Sequence, residues 1–360
     1  MRFSYSSIRK WYQCEQAWAF AYVDRLTPIR SRKAFDIGKY VHALLEYALL
    51  GHARTGTAAV LDQRVTSTVC RKLAETDGLQ LDETEAVAGL EAARGALVAM
   101  NLDQWTTAVL PDGTPCVELT IKTPWRGHEL EARIDWIATS EVTGKTWLID
   151  HKTTRYSIDD SPGAVEFSLQ NALYSEACKS IPDLKIDGCL HNLIRVPKKT
   201  APSVLKSGKL SRDKSKSAMP WPLYERAILE RDEDPADYAD MREALESRAW
   251  HKWKPDRTSE IGRASLLHYA HETLLRMSYA ALLENHLVAR VPENKCTQCE
   301  YRGLCDYRLD GQDIRPLLDV AFKVRDEDSP WYDQENYGDA TDHFARISST
   351  GRFDVSDFVP

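Results

Sequence analysis

The sequence predicts an α/β fold, with a helical arm ahead of the sheet and another helical region behind it. Three observations carry this. Segments near 115–123, 128–138 and 145–152 are rich in β-formers and alternate apolar with polar residues. The preceding hundred residues repeat apolar positions at helical spacing, and residues 221–290 return to that spacing after an irregular stretch. A chain of 360 residues buries a large core, as one elaborated domain or two intimately connected ones.

Taken in order, residues 4–25 predict a helix with Ser4 or Ser6 as N-cap and Ile8, Trp11, Tyr12, Trp18 and Tyr22 on its apolar side. Further helices are expected over Phe35–Leu50, 58–76 and 82–106, followed by the three strands. In the second and third strands, Glu131-Ala-Arg-Ile-Asp135-Trp-Ile-Ala and Thr146-Trp-Leu-Ile-Asp150-His151-Lys152-Thr-Thr flank a short turn and form a hairpin. A helix near 164–180 leads to a strand over Ile186–Val196. Residues 197–220 are Lys/Ser-rich and irregular. The last apolar-periodic segment runs from Ser259 to Arg290. There is no internal repeat.

Hydrophobic residues make up 43% and charged residues 28%, an ordinary composition for a soluble chain. No apolar run reaches membrane-spanning length, and Met1-Arg-Phe-Ser-Tyr-Ser-Ser lacks a signal peptide's apolar core. An intracellular, cytoplasmic protein without membrane contact is expected. A net charge of −7 gives no global attraction to nucleic acid, so DNA contact needs a local basic groove. Arg195 to Lys216 offers one candidate, with eight Lys/Arg against the single acid Asp213; a solvated loop is the competing reading. Asp326 to Asp342 is opposite in character, with seven acids and no Lys or Arg, and is expected to be disordered.

Side chains on a strand alternate faces, so Asp150 and Lys152 share one. A turn centred between Val142 and Thr143, or between Thr143 and Gly144, puts Asp135 on that face too. Two carboxylates and an ammonium then converge, which suits a hard divalent cation and a polarised phosphodiester; an exposed ion cluster is the alternative. Glu118, in an apolar strand, faces either solvent or the metal. His42 lies in Gly38-Lys-Tyr-Val-His42-Ala-Leu-Leu, with Gly38 one turn before it; a neutral imidazole there adds a nitrogen ligand suited to Mn²⁺ as well as Mg²⁺. Gln170 and Tyr174, four apart on a helix, share a face and can bind phosphate or orient the nucleophile.

Eight cysteines in an intracellular protein favour metal or redox use over disulfides. Cys70, Cys116, Cys178 and Cys189 are scattered in helix- or strand-like segments and are expected as small buried hydrophobes. Cys296-x₂-Cys299-x₅-Cys305 is compact enough to wrap one metal centre, and Cys14 can supply a fourth thiolate from the far end of the chain. A zinc site of three cysteines completed by His268 or His286 competes with this.

Together these motifs resemble the PD-(D/E)xK nuclease superfamily, specifically its RecB-like branch with an iron–sulfur cluster. That branch includes the Cas-four-type exonucleases and AddB-type nuclease domains. His42 matches the His motif, Asp135 the first acid, Asp150 and Lys152 the acid-x-Lys pair, and Gln170 and Tyr174 the Gln-x₃-Tyr motif. Cys14, Cys296, Cys299 and Cys305 match the cluster ligands. The parts occur in the family's order; Asp150 stands where many relatives carry Glu.

The resemblance implies a central mixed sheet flanked by helices, with N- and C-terminal helical regions joined by a four-iron–four-sulfur (4Fe–4S) cluster. Residues 1–110 then form the N-terminal helical region, 111–220 the nuclease core, 221–315 the C-terminal helical region and 316–360 the acidic tail. It implies Mg²⁺ or Mn²⁺ on His42, Asp135 and Asp150. Asp135, Asp150, Lys152, Gln170 and Tyr174 then carry the chemistry on DNA. The activity implied is exonucleolytic, with single-stranded ends favoured, in phage or bacterial recombination, replication or repair. A CRISPR nuclease trimming spacer precursors and a non-catalytic iron–sulfur DNA-binding protein are the alternatives. A recombination or helicase partner protein is the expected protein partner, and because no Gly-x₄-Gly-Lys-Ser/Thr motif is present a helicase would be a separate subunit.

Overall fold

A computed structural model of the chain describes residues 1–29, 33–77, 79–158, 168–214, 217, 219–283, 287–290, 296–297, 299–325 and 346–349. Strand β1 (Arg2–Phe3) leads into α1 (Tyr5–Gln13), which Ser4 caps by accepting from the Ser7 amide while Ser7 Oγ accepts from the Ser4 amide. The helix expected over residues 4–25 does not run through. Cys14 is extended (φ −172°, ψ 120°) and separates α1 from α2 (Glu15–Trp18), which continues as a π-helical turn over Ala19–Val23. Strand β2 (Leu26–Pro28) follows.

Helices α3 (Lys33–Thr55), α4 (Gln63–Asp77) and α5 (Glu83–Met100) form the arm. Asp82 and Glu85 make a capping box at the start of α5, and Asn101 in the left-handed conformation (φ 49°) ends it. The helix expected to reach residue 106 therefore stops at Met100. A 3₁₀ turn over Leu102–Gln104 and strand β3 (Trp105–Thr107) take up the remainder.

The predicted hairpin strands are β4 (Val117–Trp125), β5 (His128–Ser140) and β6 (Thr146–Thr154). Arg126 and Gly127, both at positive φ, make the two-residue turn between β4 and β5. Helix α6 (Leu169–Cys178) crosses over to β7 (Gly188–Arg195), which runs parallel to β6. Parallel neighbours require such a crossover, and it places α6 on one face of the sheet.

Residues 221–290 hold α7 (Trp221–Leu229), a 3₁₀ turn over Pro235–Tyr238, α8 (Ala239–Glu246), strand β8 (His251–Pro255) and α9 (Glu260–Ala280). Both β8 and the end of α9 at Ala280 depart from the helical expectation. Beyond them lie α10 (Arg302–Leu309), α11 (Arg315–Ala321), β9 (Phe322–Val324) and β10 (Arg346–Ser349). The acidic run from Asp326 to Asp342 lies outside the described residues.

The main sheet is mixed, in the order β10-β4-β5-β6-β7-β8, with β1 and β3 also paired to β5. Two cores sandwich it. On one face Val117, Trp136, Ile149 and Ile194 pack against Tyr40, Leu44, Ala93 and Met100 of α3 and α5. On the other, Leu119, Ile134, Leu148 and Cys189 pack against Ile8, Leu173, Leu274 and Met277 of α1, α6 and α9. Cys116, Cys178 and Cys189 are buried as expected, and Cys70 is half-buried against the first core. A small separate core joins Leu210, Trp221, Tyr224, Tyr238 and Met241. Among the described residues no helix is long and apolar enough to cross a membrane.

Candidate active site

The site forms where two strands part. β5 and β6 pair from Thr139↔Thr146 to Trp136↔Ile149 and no further, which fixes the turn centre between Val142 and Thr143 and sets Asp135 opposite Asp150. In the gap so opened, Asp135 Oδ2 accepts the His151 backbone N–H at 2.7 Å. On the other side of β5, Val117↔Trp136 and Leu119↔Ile134 are paired, and Glu118 between them adopts φ 49°. A left-handed, non-glycine residue inside a strand is strained, by about 1–3 kcal/mol. Here the kink turns the Glu118 carboxylate toward Asp135.

His42 arrives from α3. Gly38, one turn earlier, lets that helix lie against β6: a Cβ there would stand 3.1 Å from Thr153 Oγ1. His42 Nδ1 is 3.6 Å from Asp135 Oδ2 and 3.9 Å from Glu118 Oε1. Ligand atoms of His42, Glu118 and Asp135 all lie within 4.8 Å of one another. The other Glu118 oxygen accepts from Arg133 Nε at 2.6 Å, in a largely buried pair.

Beside this group stands a second one. Asp150 Oδ1 accepts from Lys152 Nζ at 2.9 Å and from Gln170 Nε2 at 3.1 Å, and Asp150 Oδ2 lies 2.9 Å from His191 Nδ1. Lys152 also donates to Gln170 Oε1 at 2.8 Å, and Gln170 Nε2 donates to the Tyr174 hydroxyl at 3.1 Å. The helical i, i+4 pairing of Gln170 and Tyr174 thus ends on the Asp-x-Lys strand. The expected residues His42, Asp135, Asp150, Lys152, Gln170 and Tyr174 all meet here, in two adjoining groups. Glu118, rather than Asp150, shares the tight three-ligand group with His42 and Asp135.

Electrostatics separates the two acids. Burial, then the neighbouring Glu118 and Asp150 charges, push the Asp135 carboxyl well above its ordinary range. Burial pushes Asp150 the same way, but the Lys152 ammonium and the His191 hydrogen bond outweigh it and hold Asp150 below its ordinary range. Burial lowers His42 despite the nearby acids, so it presents a neutral nitrogen. Burial also lowers Lys152, but Asp150 and Asp135 overcome that and keep it charged. Crowded acids beside a neutral imidazole are a donor set that fits a hard divalent cation, which would sit between His42, Glu118 and Asp135.

The cysteines are placed differently. Cys14, Cys299 and Cys305 border one small apolar cluster with Phe20, Leu26, Tyr301 and Leu304. Burial, then the charges of Cys299, Cys14 and Cys296, push the Cys305 thiol up to about 11. Among the described residues these four do not form a group with the tight spacing seen at His42. His268 is exposed on α9, and His286 lies outside the described residues.

Chains of known kind bear on this geometry. The model of the PD-(D/E)XK nuclease superfamily matches residues 2–306. The chain belongs to that superfamily. In this PD-(D/E)XK chain the splayed β5–β6 hairpin sets Asp135 on one strand beside Asp150-x-Lys152 on the next, and nucleases of the superfamily generally use Mg²⁺ or Mn²⁺. Curated proteins include none that matches the chain. One solved structure, that of SSO0001, aligns over 76% of this chain and 95% of that chain at 11% identity, with a TM-score of 0.26. Likeness at that level carries no argument.

Arg133 and His191 carry no functional pattern in the sequence. A His inside the apolar strand Ile186–Val196 was the one available signal.

Proposed function

We propose that this PD-(D/E)XK protein is a metal-dependent deoxyribonuclease of the RecB-like, Cas-four-type branch. It is an exonuclease acting on single-stranded DNA ends, in phage or bacterial recombination, replication or repair. The observation that carries the nuclease reading is the meeting of His42, Glu118 and Asp135 beside the linked Asp150, Lys152, Gln170 and Tyr174. A divalent cation held there supplies Lewis acidity to a scissile phosphodiester.

The chain's own residues divide the remaining work. His151 N–H fixes the Asp135 carboxylate toward His42. Lys152, charged and tied to Gln170, sets a positive charge where the phosphate arrives and stabilises the negative charge that develops on it. Gln170 spans Asp150, Lys152 and Tyr174, so these three keep one arrangement as DNA enters.

The iron–sulfur part of the reading rests on the cysteines. Cys14 and the Cys296–Cys305 run come from opposite ends of the matched region, and Cys305 feels the charge of the other three. A four-iron cluster holds its thiolates farther apart than a single ion does, in keeping with a looser grouping. The exonuclease, single-strand and branch assignments rest on the motif order, including Gln170-x₃-Tyr174 and the split cysteines.

Lys152→Ala is the deciding variant. Anaerobically prepared wild type with Mn²⁺ or Mg²⁺ should shorten end-labelled single-stranded DNA and absorb in the iron–sulfur charge-transfer region. Lys152→Ala should keep that absorbance and lose the activity. Full activity in Lys152→Ala, from protein free of contaminating host nuclease, sinks the assignment of this site, and an inactive wild type sinks the nuclease reading. Colourless protein with stoichiometric zinc sinks the cluster and spares the nuclease.

A further inference from the structure

Asp150 is held from several directions, and one of them leads away from the cleft into the core. His191 on β7 and Asn171 on α6 are each 1% exposed, so neither is placed to meet substrate. His191 Nδ1 is 2.9 Å from Asp150 Oδ2, and His191 Nε2 is 2.9 Å from Asn171 Nδ2. The same amide nitrogen donates to Asp256 Oδ2 at 2.9 Å. Side chains from β6, β7, α6 and the residue after β8 thus form one line.

Donor and acceptor chemistry fixes the protons along it. A carboxylate only accepts, so the Asn171 atom facing Asp256 must be the amide nitrogen; the reversed amide would set oxygen against oxygen. Asp256 is itself anchored, its Oδ1 accepting from the Thr258 backbone N–H at 2.8 Å and from the Thr258 hydroxyl. With the nitrogen so placed, Asn171 also donates to His191 Nε2, which therefore carries a lone pair. The ring proton sits on Nδ1 and is donated to Asp150.

We propose that Asp256, Asn171 and His191 are positioning residues that hold His191 as the neutral Nδ1–H tautomer against Asp150. Asp150 then keeps one orientation and its full negative charge beside Lys152. This rests on the nuclease reading above, because it concerns the orientation of that reading's second acid. The two acids differ in this respect. Asp135 is oriented by a backbone amide, which any substitution at His151 short of proline leaves in place, whereas Asp150 is oriented by side chains that substitution can remove.

Two measurements test the chain. Histidine-¹⁵N spectra of the metal-free wild type at neutral pH should show one neutral ring protonated at Nδ1 that disappears in His191→Asn; an Nε2-protonated His191 overturns the proposal. In kinetics, His191→Leu fills the space without a donor, whereas His191→Asn keeps an amide nitrogen near the position of Nδ1. Removing such outer hydrogen bonds characteristically lowers activity by ~10–100-fold. His191→Leu and Asn171→Leu should show that loss in kcat with KM for DNA less affected, and His191→Asn should recover most of it. Equal loss in His191→Asn and His191→Leu, both folded by circular dichroism, overturns the proposal, as does a loss confined to KM. A wild type without nuclease activity would sink the nuclease reading instead, and the tautomer spectrum would still decide the hydrogen-bonded chain.

Discussion

Asp135 occupies a place where burial and like charge both oppose ionisation. Because the folded-state pKa of Asp135 is raised, the folded metal-free protein binds more protons than the unfolded chain, and stability falls as pH rises from the ordinary carboxylate range through that raised value. Asn cannot lose this proton and still accepts the His151 N–H. Asp135→Asn should therefore abolish activity yet raise the Tm of the metal-free protein, by roughly 2–4 °C per kcal/mol recovered, with the gain growing as pH rises across that window. Thermal denaturation of both proteins at several pH values checks this; an unchanged Tm at neutral pH refutes it. Glu118 should behave in the opposite way. Glu118→Ala removes the hydrogen-bonded acid of the buried Arg133 guanidinium and leaves it the charges of Glu46 and Asp135, so it should destabilise by at most ~3–5 kcal/mol, and Arg133→Met on the same background should return part of that in denaturant unfolding. That His42, Asp135, Asp150, Lys152, Gln170 and Tyr174 come together was legible because their types and spacings are visible in the chain. Glu118 was legible only as a choice between solvent and the metal, since a left-handed kink at a glutamate leaves no mark in sequence to decide it. The His191 line was not legible, since its partners come together only through the parallel register of β6 and β7.

At the scale of elements, strand and helix cores were legible and their ends were not. The hairpin strands announced themselves by alternation, but β8, His251-Lys-Trp-Lys-Pro255, is five residues long and two of them are lysines. Short strands with lysines and a proline are what sheet edges favour, and they resemble loops in sequence. The break at Cys14 was equally hidden, because the apolar positions on either side keep helical spacing. The basic segment after β7 is clearer. Val204 and Leu210 form an isolated bridge, and Lys206, Lys209, Arg212 and Lys214 are exposed along it; Lys216 lies outside the described residues. Lys198 Nζ sits 5.4 Å from the centre of the Tyr156 ring, just beyond the end of β6, which carries Asp150 and Lys152. Backbone phosphates are the expected partner. Replacing Lys206, Lys209 and Lys214 with Gln should weaken DNA binding and flatten the dependence of log K on log[salt]. On single strands the slope should shrink by about 0.7 for each phosphate left without its lysine. Binding titrations at several salt concentrations measure that slope, and an unaltered slope removes this segment from the DNA path.

At the scale of the whole molecule, the question is what ties the ends of the chain to each other. Cys14 and Cys296 lie about 280 positions apart. Closing so long a loop by a covalent link alone would restrict the unfolded chain by about 6 kcal/mol. The fold already closes it by other means. β2 pairs with β9 from Leu26↔Val324 to Pro28↔Phe322, Tyr301 donates to the Leu26 carbonyl at 2.9 Å, and Phe20, Leu26, Tyr301 and Leu304 share a core. Part of the loop entropy is therefore lost to this packing alone, and a metal centre on the cysteines would add only what the packing leaves undone. Cys14→Ala should accordingly lower the Tm and expose the region after Cys296 to limited proteolysis, while the core from β4 to β7 keeps its circular dichroism and Mn²⁺-dependent activity at moderate temperature. Adding Tyr301→Phe should deepen the loss beyond the sum of the two single changes, because both act on the same closure. Strict additivity would mean that the cysteines and the β2–β9 ribbon are independent ties, and global unfolding of Cys14→Ala would mean that the cysteine centre alone holds the chain closed.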